Sequence, residues 1–564
     1  MKKLLSTLLI FALLLTFLST GCSGKVPPGD GNTTAAANSS ASETAPAPTV
    51  DPMAKYDPPV AVKYARLALL GEKFPEGVSY ENNVWTQEYL SELGIKLETA
   101  WSAEGTEAYD TKLNLCIASN DLPEIFPCNA AQLQSMVEGD MLEDLTQVQK
   151  DYSSEAISKE LLSDKGEALK QATFDGKLMA LPQNSVEPAD MEYVFVRDDW
   201  RQNLGLPVPQ TMEDVLAMAK AFATQDPDKN GKPDTFGLGV SNKPFENYFA
   251  MRGFFNGYGA FPYQWVEKDG KLAYGSIQPE MKQGLASLNK LYKEKVIDPE
   301  FIVRDSYAVS QDAVAGKVGI GYAQFWLITW PLPDAYANDP SVVWKAYPIL
   351  YADGVTNKGV KAVMKLDKMY VVKKGMKNPE ALVKMYNFFF DKIFGDTTDL
   401  KKYKTDGTYS IMGWAAISTF VGESRNRVTA RIVTDAIDKK DENLIQNEDQ
   451  RTSYNFIKAF MDGSSKDKSG WSNYYLFYGP GSVCDLEAKY IENNIAKPDL
   501  FYGSDTPEMV DRMAILRSNE EEMILKIVTG EKPLEYFDEF VASWKKLGGD
   551  KITEEVNQWR DNLK

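Results

Sequence analysis

The segment Asp226-Pro227-Asp228-Lys229-Asn230-Gly231-Lys232-Pro233-Asp234 sets oxygen-bearing side chains at positions 1, 3, 5 and 9 of a loop, with glycine at position 6. Alternate oxygens can wrap a hard cation and the glycine permits the tight turn. Asp226, Asp228, Asn230, Lys232 and Asp234 are therefore candidate ligands for a structural calcium ion. The bidentate Glu that closes a full EF-hand loop at position 12 is replaced by Gly237. Asp, Asn and Gly also build plain surface turns, which is the competing reading of the same residues.

Catalytic groups are scarcer. The chain has no histidine, which removes Ser-His-Asp and Cys-His nucleophiles and most zinc sites. No Gly-Lys pair is followed by Ser or Thr, so a phosphate-binding P-loop is missing. Two carboxylates at a set separation would suffice for glycoside hydrolysis. The adjacent Asp198 and Asp199 suit that poorly, because sequence neighbours point in different directions; a helix N-cap ahead of Trp200 is the expected role.

The elements that must position such groups alternate. Residues 60–70, 95–101 and 124–127 read as strands, and residues 83–93, 109–118 and 130–137 as helices, with apolar positions at Leu113, Cys116 and Ile117. Thr211 opens a further helix with Glu213 and Asp214 in its first turn, where the helix dipole favours acids. Residues 281–293 and 379–390 carry an amphipathic helical period. The pattern predicts an α/β body with a mostly parallel sheet and right-handed crossings.

That body starts near residue 59 and spans roughly 500 residues, too many for one ordinary core, so at least two lobes are expected. A formal charge of −18, from 62 basic and 80 acidic residues, argues against nucleic acid and polyanionic surfaces as partners. One anionic ligand held by local Arg or Lys is still compatible with it. Cys116, Cys128 and Cys484 lack metal-ligand spacing; Cys116 and Cys128 could pair or remain buried thiols.

Ahead of the body, Lys2 and Lys3, an apolar run over residues 4–18 and Ser19-Thr20-Gly21-Cys22 read as a lipoprotein signal. The run is too short to span a bilayer comfortably. Cys22 supplies the thiol for acyl chains at a new N-terminus, although Ser19 stands where an apolar residue is usual. Residues 23–58 are Gly-, Ser-, Thr-, Ala-, Asn- and Pro-rich and read as a flexible tether. The expected location is the extracellular face of a membrane, lipid-anchored.

Several local phrases carry a family resemblance. Asn83-Val84-Trp85-Thr86-Gln87, Ser119-Asn120-Asp121-Leu122-Pro123-Glu124-Ile125, Thr173-Phe174-Asp175-Gly176-Lys177-Leu178-Met179-Ala180-Leu181-Pro182 and Val196-Arg197-Asp198-Asp199-Trp200-Arg201-Gln202-Asn203-Leu204-Gly205-Leu206 resemble extracellular solute-binding proteins of family 1, most of all the large LipO and LplA type. The likeness continues through residues 226–237, 290–301 and 315–319 and covers most of residues 59–400. It implies a two-lobed, periplasmic-binding-protein-like (type II) fold with discontinuous lobes and a hinge. The approximate boundaries are residues 59–190 with 362–430 for one lobe and 191–361 with 431–564 for the other. It also implies delivery of a bound solute to an ABC permease driven by a separate ATPase. Some related oligosaccharide receptors bind calcium at a loop matching residues 226–234, with the final carboxylate placed where this chain has Thr235.

The ligand is read from aromatics. Sugar rings stack their apolar C–H faces on flat rings while Asn, Gln, Asp and Arg meet their hydroxyls. Asn83, Gln183, Tyr258, Trp265, Trp326, Trp330 and Trp414 are the candidate ligand-binding residues, and for any one of the aromatics a place in the core is the stronger competing role. Trp326 and Trp330 come first, because residues 316–321 read as a strand whose end can turn into a cleft. The leading expectation is a monomeric oligosaccharide receptor without catalytic activity. A receptor for a peptide or other solute, and a secreted carbohydrate-active enzyme, are the alternatives.

Overall fold

A computed structural model describes residues 51–562 apart from 70–71, 187, 365, 367, 396–398, 405–408, 423 and 504. The signal, Cys22 and most of the tether lie outside the described residues. Among the described residues no helix is long and apolar enough to cross a membrane.

Local sequence accounts for the first elements. The strand Val60–Ala68 leads through the helix Val84–Leu93 to the strand Ile95–Glu104. The Asn83 side chain caps the helix start in a capping box with Thr86. Gly94 ends the helix at φ 67°, and a Cβ there would stand 2.3 Å from the Tyr56 carbonyl oxygen, so only glycine serves. Helix Thr106–Ser119, strand Ile125–Cys128 and helix Ala130–Glu138 follow. Thr211 caps the helix Met212–Thr224 in a capping box with Asp214.

Two sheets result. In the first, Ile95–Glu104, Val60–Ala68 and Ile125–Cys128 run parallel, and then Met369–Val372 and Leu181–Pro182 each lie antiparallel to their neighbour. In the second, Glu192–Arg197 sits antiparallel between Trp344–Tyr347 and Val318–Gln324, with Phe236–Leu238 parallel on the far edge. Every residue of Glu192–Arg197 is buried, as a strand covered on both faces requires. The expectation of a mostly parallel sheet is thereby corrected to mixed sheets. The antiparallel members arrive on chain that has just come from, or is about to enter, the other half of the molecule.

Each sheet centres its own hydrophobic core. The first core draws on residues between Val62 and Val186 and again between Leu366 and Val421. The second draws on Met191 to Ala362 and on Ala430 to Val556, the later part being mostly helices such as Arg425–Asp438, Val483–Glu492 and Pro507–Thr529. The chain therefore passes between cores three times, and Met364 packs against both. The crossings lie side by side. Ala189 and Val363 exchange backbone hydrogen bonds at 3.1 and 2.9 Å, and the Phe420 N–H donates to the Gln183 carbonyl at 2.7 Å. Cys116, Cys128 and Cys484 are free thiols, so Cys116 and Cys128 do not pair.

Candidate functional site

Where the crossings meet, a cavity of about 260 Å³ opens. Asn184, Ser185 and Asp190 line it from the first crossing, Phe420 and Asn426 from the third, and Phe325 and Trp326 from the second half of the molecule. The Gly422 N–H donates to Ser185 Oγ at 2.7 Å, tying the first and third crossings. Gly422 sits at φ 118°, a backbone state that side chains rarely adopt. Arg427 and Glu487 close one wall with an ion pair at 3.1 Å, both mostly buried. Tyr193, also on the wall, stacks on Tyr490 with centroids 5.4 Å apart and planes 9° from parallel.

Trp326 owes its position to the strand before it. Val318–Gln324 runs into a short 3-10 turn, Phe325–Ile328, in which Leu327 and Ile328 are fully buried and pin the turn. Trp326 points the other way and is 47% exposed. Its ring lies 4.0 Å from that of Phe325. Trp330 follows, 38% exposed, against Tyr248 and Tyr307.

The other sequence candidates are put to different use. Asn83 spends its side chain on the helix cap and on the carbonyls of Ser79 and Tyr80. Tyr258 is buried with its hydroxyl donating to Ser287 Oγ at 2.7 Å. Trp265 packs on Tyr274 in the second core. Gln183 is buried next to the cavity, donating to Ser418 Oγ at 2.6 Å. Trp414 is 4% exposed and packs on Phe74, with its indole N–H donating to Glu72. So Trp326 is on the cavity wall, Gln183 is buried next to it, Trp330 is one turn away, and Asn83, Tyr258, Trp265 and Trp414 do not gather around it. Sequence reading missed Phe420, Arg427 and Glu487. The turn residues Asn184, Ser185, Pro188 and Asp190 were a local signal for the first crossing.

Asp198 and Asp199 do not cap. Arg197 is the N-cap of the helix Asp198–Asn203, and both acids stand in its first turn. Asp198 is wholly buried and accepts hydrogen bonds from Arg201, Gln202 and Tyr347 at 2.7, 2.7 and 2.9 Å. Burial would raise its carboxyl, but those donors and Lys345 outweigh it and hold the group at about 2. At the crossings, burial and then the Arg252 charge push the Lys361 ammonium down to about 8.

In the loop of residues 226–234, Asp226 accepts the backbone N–H groups of Asn230 and Gly231, each at 3.1 Å. The Asn230 amide nitrogen donates to Asp228 at 2.8 Å and to Asp234 at 3.2 Å, so two carboxylates gather around this side chain while Asp226 holds the backbone of the same turn. Burial, with the neighbouring Asp226 and Asp234 carboxylates, raises the Asp228 carboxyl from its ordinary value. The fit to calcium is partial. A Cβ at Gly237 would stand 1.8 Å from the Ala219 carbonyl oxygen, so no bidentate Glu has room, and the Thr235 hydroxyl donates instead to Phe222. Among the described residues no group of three or more His, Cys, Asp or Glu is arranged to hold a metal ion.

The family profile described as bacterial extracellular solute-binding protein matches residues 72–392. Two Bacillus subtilis proteins are each 28% identical over 40% of this chain: the polygalacturonan/rhamnogalacturonan-binding protein YtcQ, covered over 43% of its length, and lipoprotein LipO, covered over 44%. The chain thus matches less than half the length of these curated relatives. A Streptococcus pneumoniae structure, the ABC-transporter substrate-binding protein FusA as an EF-hand mutant with fructo-nystose, superposes with TM-score 0.54. It covers 89% of this chain and 99% of its own at 15% identity, a likeness of fold.

Proposed function

The chain belongs to the bacterial extracellular solute-binding proteins, and from that premise we propose that it captures an oligosaccharide outside the cell and hands it to an ABC permease. The cavity between the first and third crossings carries this reading. There the exposed Trp326 ring stands among Asn184, Ser185, Asp190 and Asn426, a flat apolar surface rimmed by hydrogen-bonding groups as sugar rings need. The ligands named for YtcQ and for the FusA structure support a carbohydrate over a peptide. The lobes proposed are residues 59–190 with 362–430 and residues 191–361 with 431–564, closing about the crossings to exclude water from the ligand.

A thermal-shift screen against oligosaccharides tests the reading, because a ligand that binds only the folded state raises Tm. The expected result is a rise with at least one sugar and no change in the sugar itself. A rise with peptides alone sinks the carbohydrate reading, and product formation from any sugar sinks the view that the chain binds without catalysis. The proposed anchor is acylated Cys22; a Cys22→Ala protein still retained by membranes after fractionation would refute it. The protein is proposed to act as a monomer.

We also propose a structural calcium ion at Asp226, Asp228, Asn230, Lys232 and Asp234. The gathered carboxylates and the EF-hand named for FusA support it; the ion would relieve their mutual repulsion. Tm should fall in chelator and recover with calcium, and Asp226→Ala with Asp228→Ala should remove that difference. Identical melting of the unmutated protein in both conditions would leave the loop a plain turn.

A further inference from the structure

We infer that Trp330, Tyr307 and Tyr248 form a second sugar-stacking platform beside the cavity, so that the receptor reads the length of its ligand; this rests on the oligosaccharide reading above. The three rings come from separate segments. Tyr248 precedes the helix Arg252–Asn256, Tyr307 is in the first turn of Ser306–Val314, and Trp330 follows the turn that carries Trp326. Trp330 meets each of the other two. Tyr307 and Trp330 lie 6.0 Å apart with planes 20° from parallel, and Tyr248 lies 5.3 Å from Trp330. Tyr307 is 61% exposed.

Tyr307 and Trp330 are exposed, and Tyr248 is half-buried against the second core behind them; exposed rings forgo the hydrophobic stabilisation that burial would give them, and their grouping marks a binding surface more often than scattered apolar residues do. The platform is also rigid. Leu327, Ile328 and Leu332, all fully buried, fix the turn beneath it. The Trp330 N–H donates to the Trp326 carbonyl at 2.8 Å. That bond closes a single turn of backbone between the two residues, which makes them successive positions along it. A chain of sugars seated on Trp326 and extending along the turn therefore meets Trp330 next. No charged residue occurs from Phe325 to Pro333, so this stretch offers flat apolar faces and no charge of its own, which suits successive sugar rings.

The test measures Kd by calorimetry for the short and long members of two series, galacturonide dimer against pentamer and sucrose against nystose. The unmutated protein should bind the longer member of at least one series roughly tenfold tighter. Tyr307→Ala and Trp330→Ala should each erase most of that advantage while leaving the Kd for the short member unchanged and Tm unchanged for the exposed Tyr307 site. Trp330→Phe, which keeps a flat ring, should retain part of it. Trp326→Ala should weaken short and long members alike. A length advantage that survives both alanine variants, or one that is absent from an unmutated protein that does bind sugar, overturns the platform and leaves the oligosaccharide reading standing. No binding of either series by the unmutated protein overturns the platform; a failed oligosaccharide screen overturns both.

Discussion

Both halves of the molecule place aromatics just beyond the carboxyl end of a core strand, the edge where α/β sheets usually hold ligands, yet the two groups differ. After Val60–Ala68, Phe74 meets Tyr80 edge to face and Trp414 at a tilt, Arg66 lies 4.3 Å over the Tyr80 ring, and the Arg66 guanidinium donates to the Trp414 and Ala415 carbonyls. After Val318–Gln324, Trp326 and Trp330 stay open to solvent. The first group is locked shut by a cation and by hydrogen bonds; the second is backed by a rigid turn and left uncovered. Aromatic residues at a strand end therefore do not by themselves locate a binding surface. What decides is whether other segments supply the groups that close over them.

The largest effect expected from this contrast is on stability. Trp414→Ala should cost about 3–5 kcal/mol in urea unfolding, the scale of emptying a buried aromatic site, whereas Trp326→Ala should change it by about 0.5 kcal/mol or less. Equal costs would erase the distinction between closed and open groups.

Enclosure acts on charge as well, with an effect of a few kcal/mol. Glu520, on Pro507–Thr529, is fully buried, and Tyr274 OH stands 3.4 Å from one carboxyl oxygen. Burial raises its carboxyl from 4.5 to about 8. The folded protein thus holds a proton that the unfolded chain has lost, so stability falls as pH climbs from about 4.5 through about 8. Glu520→Gln should flatten that decline and be the more stable form at pH 8. A decline of equal slope in the variant would assign it to other groups.

The smallest effect sharpens the open side. Trp326→Ala should weaken binding of the sugar found in the screen by about 1–3 kcal/mol without loss of fold. An unchanged affinity would move the ligand away from this turn.

Much of the architecture was legible because it is local. Strand and helix alternate along residues 60–138, the helix Met281–Lys293 matches its amphipathic stretch, and Thr211 caps as its acidic first turn suggests. Sheet direction was not legible, since Met369–Val372 pairs with Ile125–Cys128 across a long excursion through the other core. The expected Asp198 cap failed for a similar reason: Tyr347 and Lys345, far along the chain, recruit that carboxylate. Ring exposure is likewise set by distant neighbours. Nothing within a few residues of Trp265 or Trp414 separates them from Trp326, whereas Tyr274 and Phe74 in the folded protein do.

The three side-by-side crossings also constrain how the protein comes to be folded. The first sheet needs Met369–Val372 to join Ile125–Cys128 to Leu181–Pro182, and those residues follow all four strands of the second sheet in the chain. A ribosome must therefore make both sheets' worth of polypeptide before the earlier one can close. Pairing across such sequence separation is slow and leaves strand edges open meanwhile. No single cut in the chain parts the two cores from one another, so the halves cannot be harvested as two separate domains and must mature together.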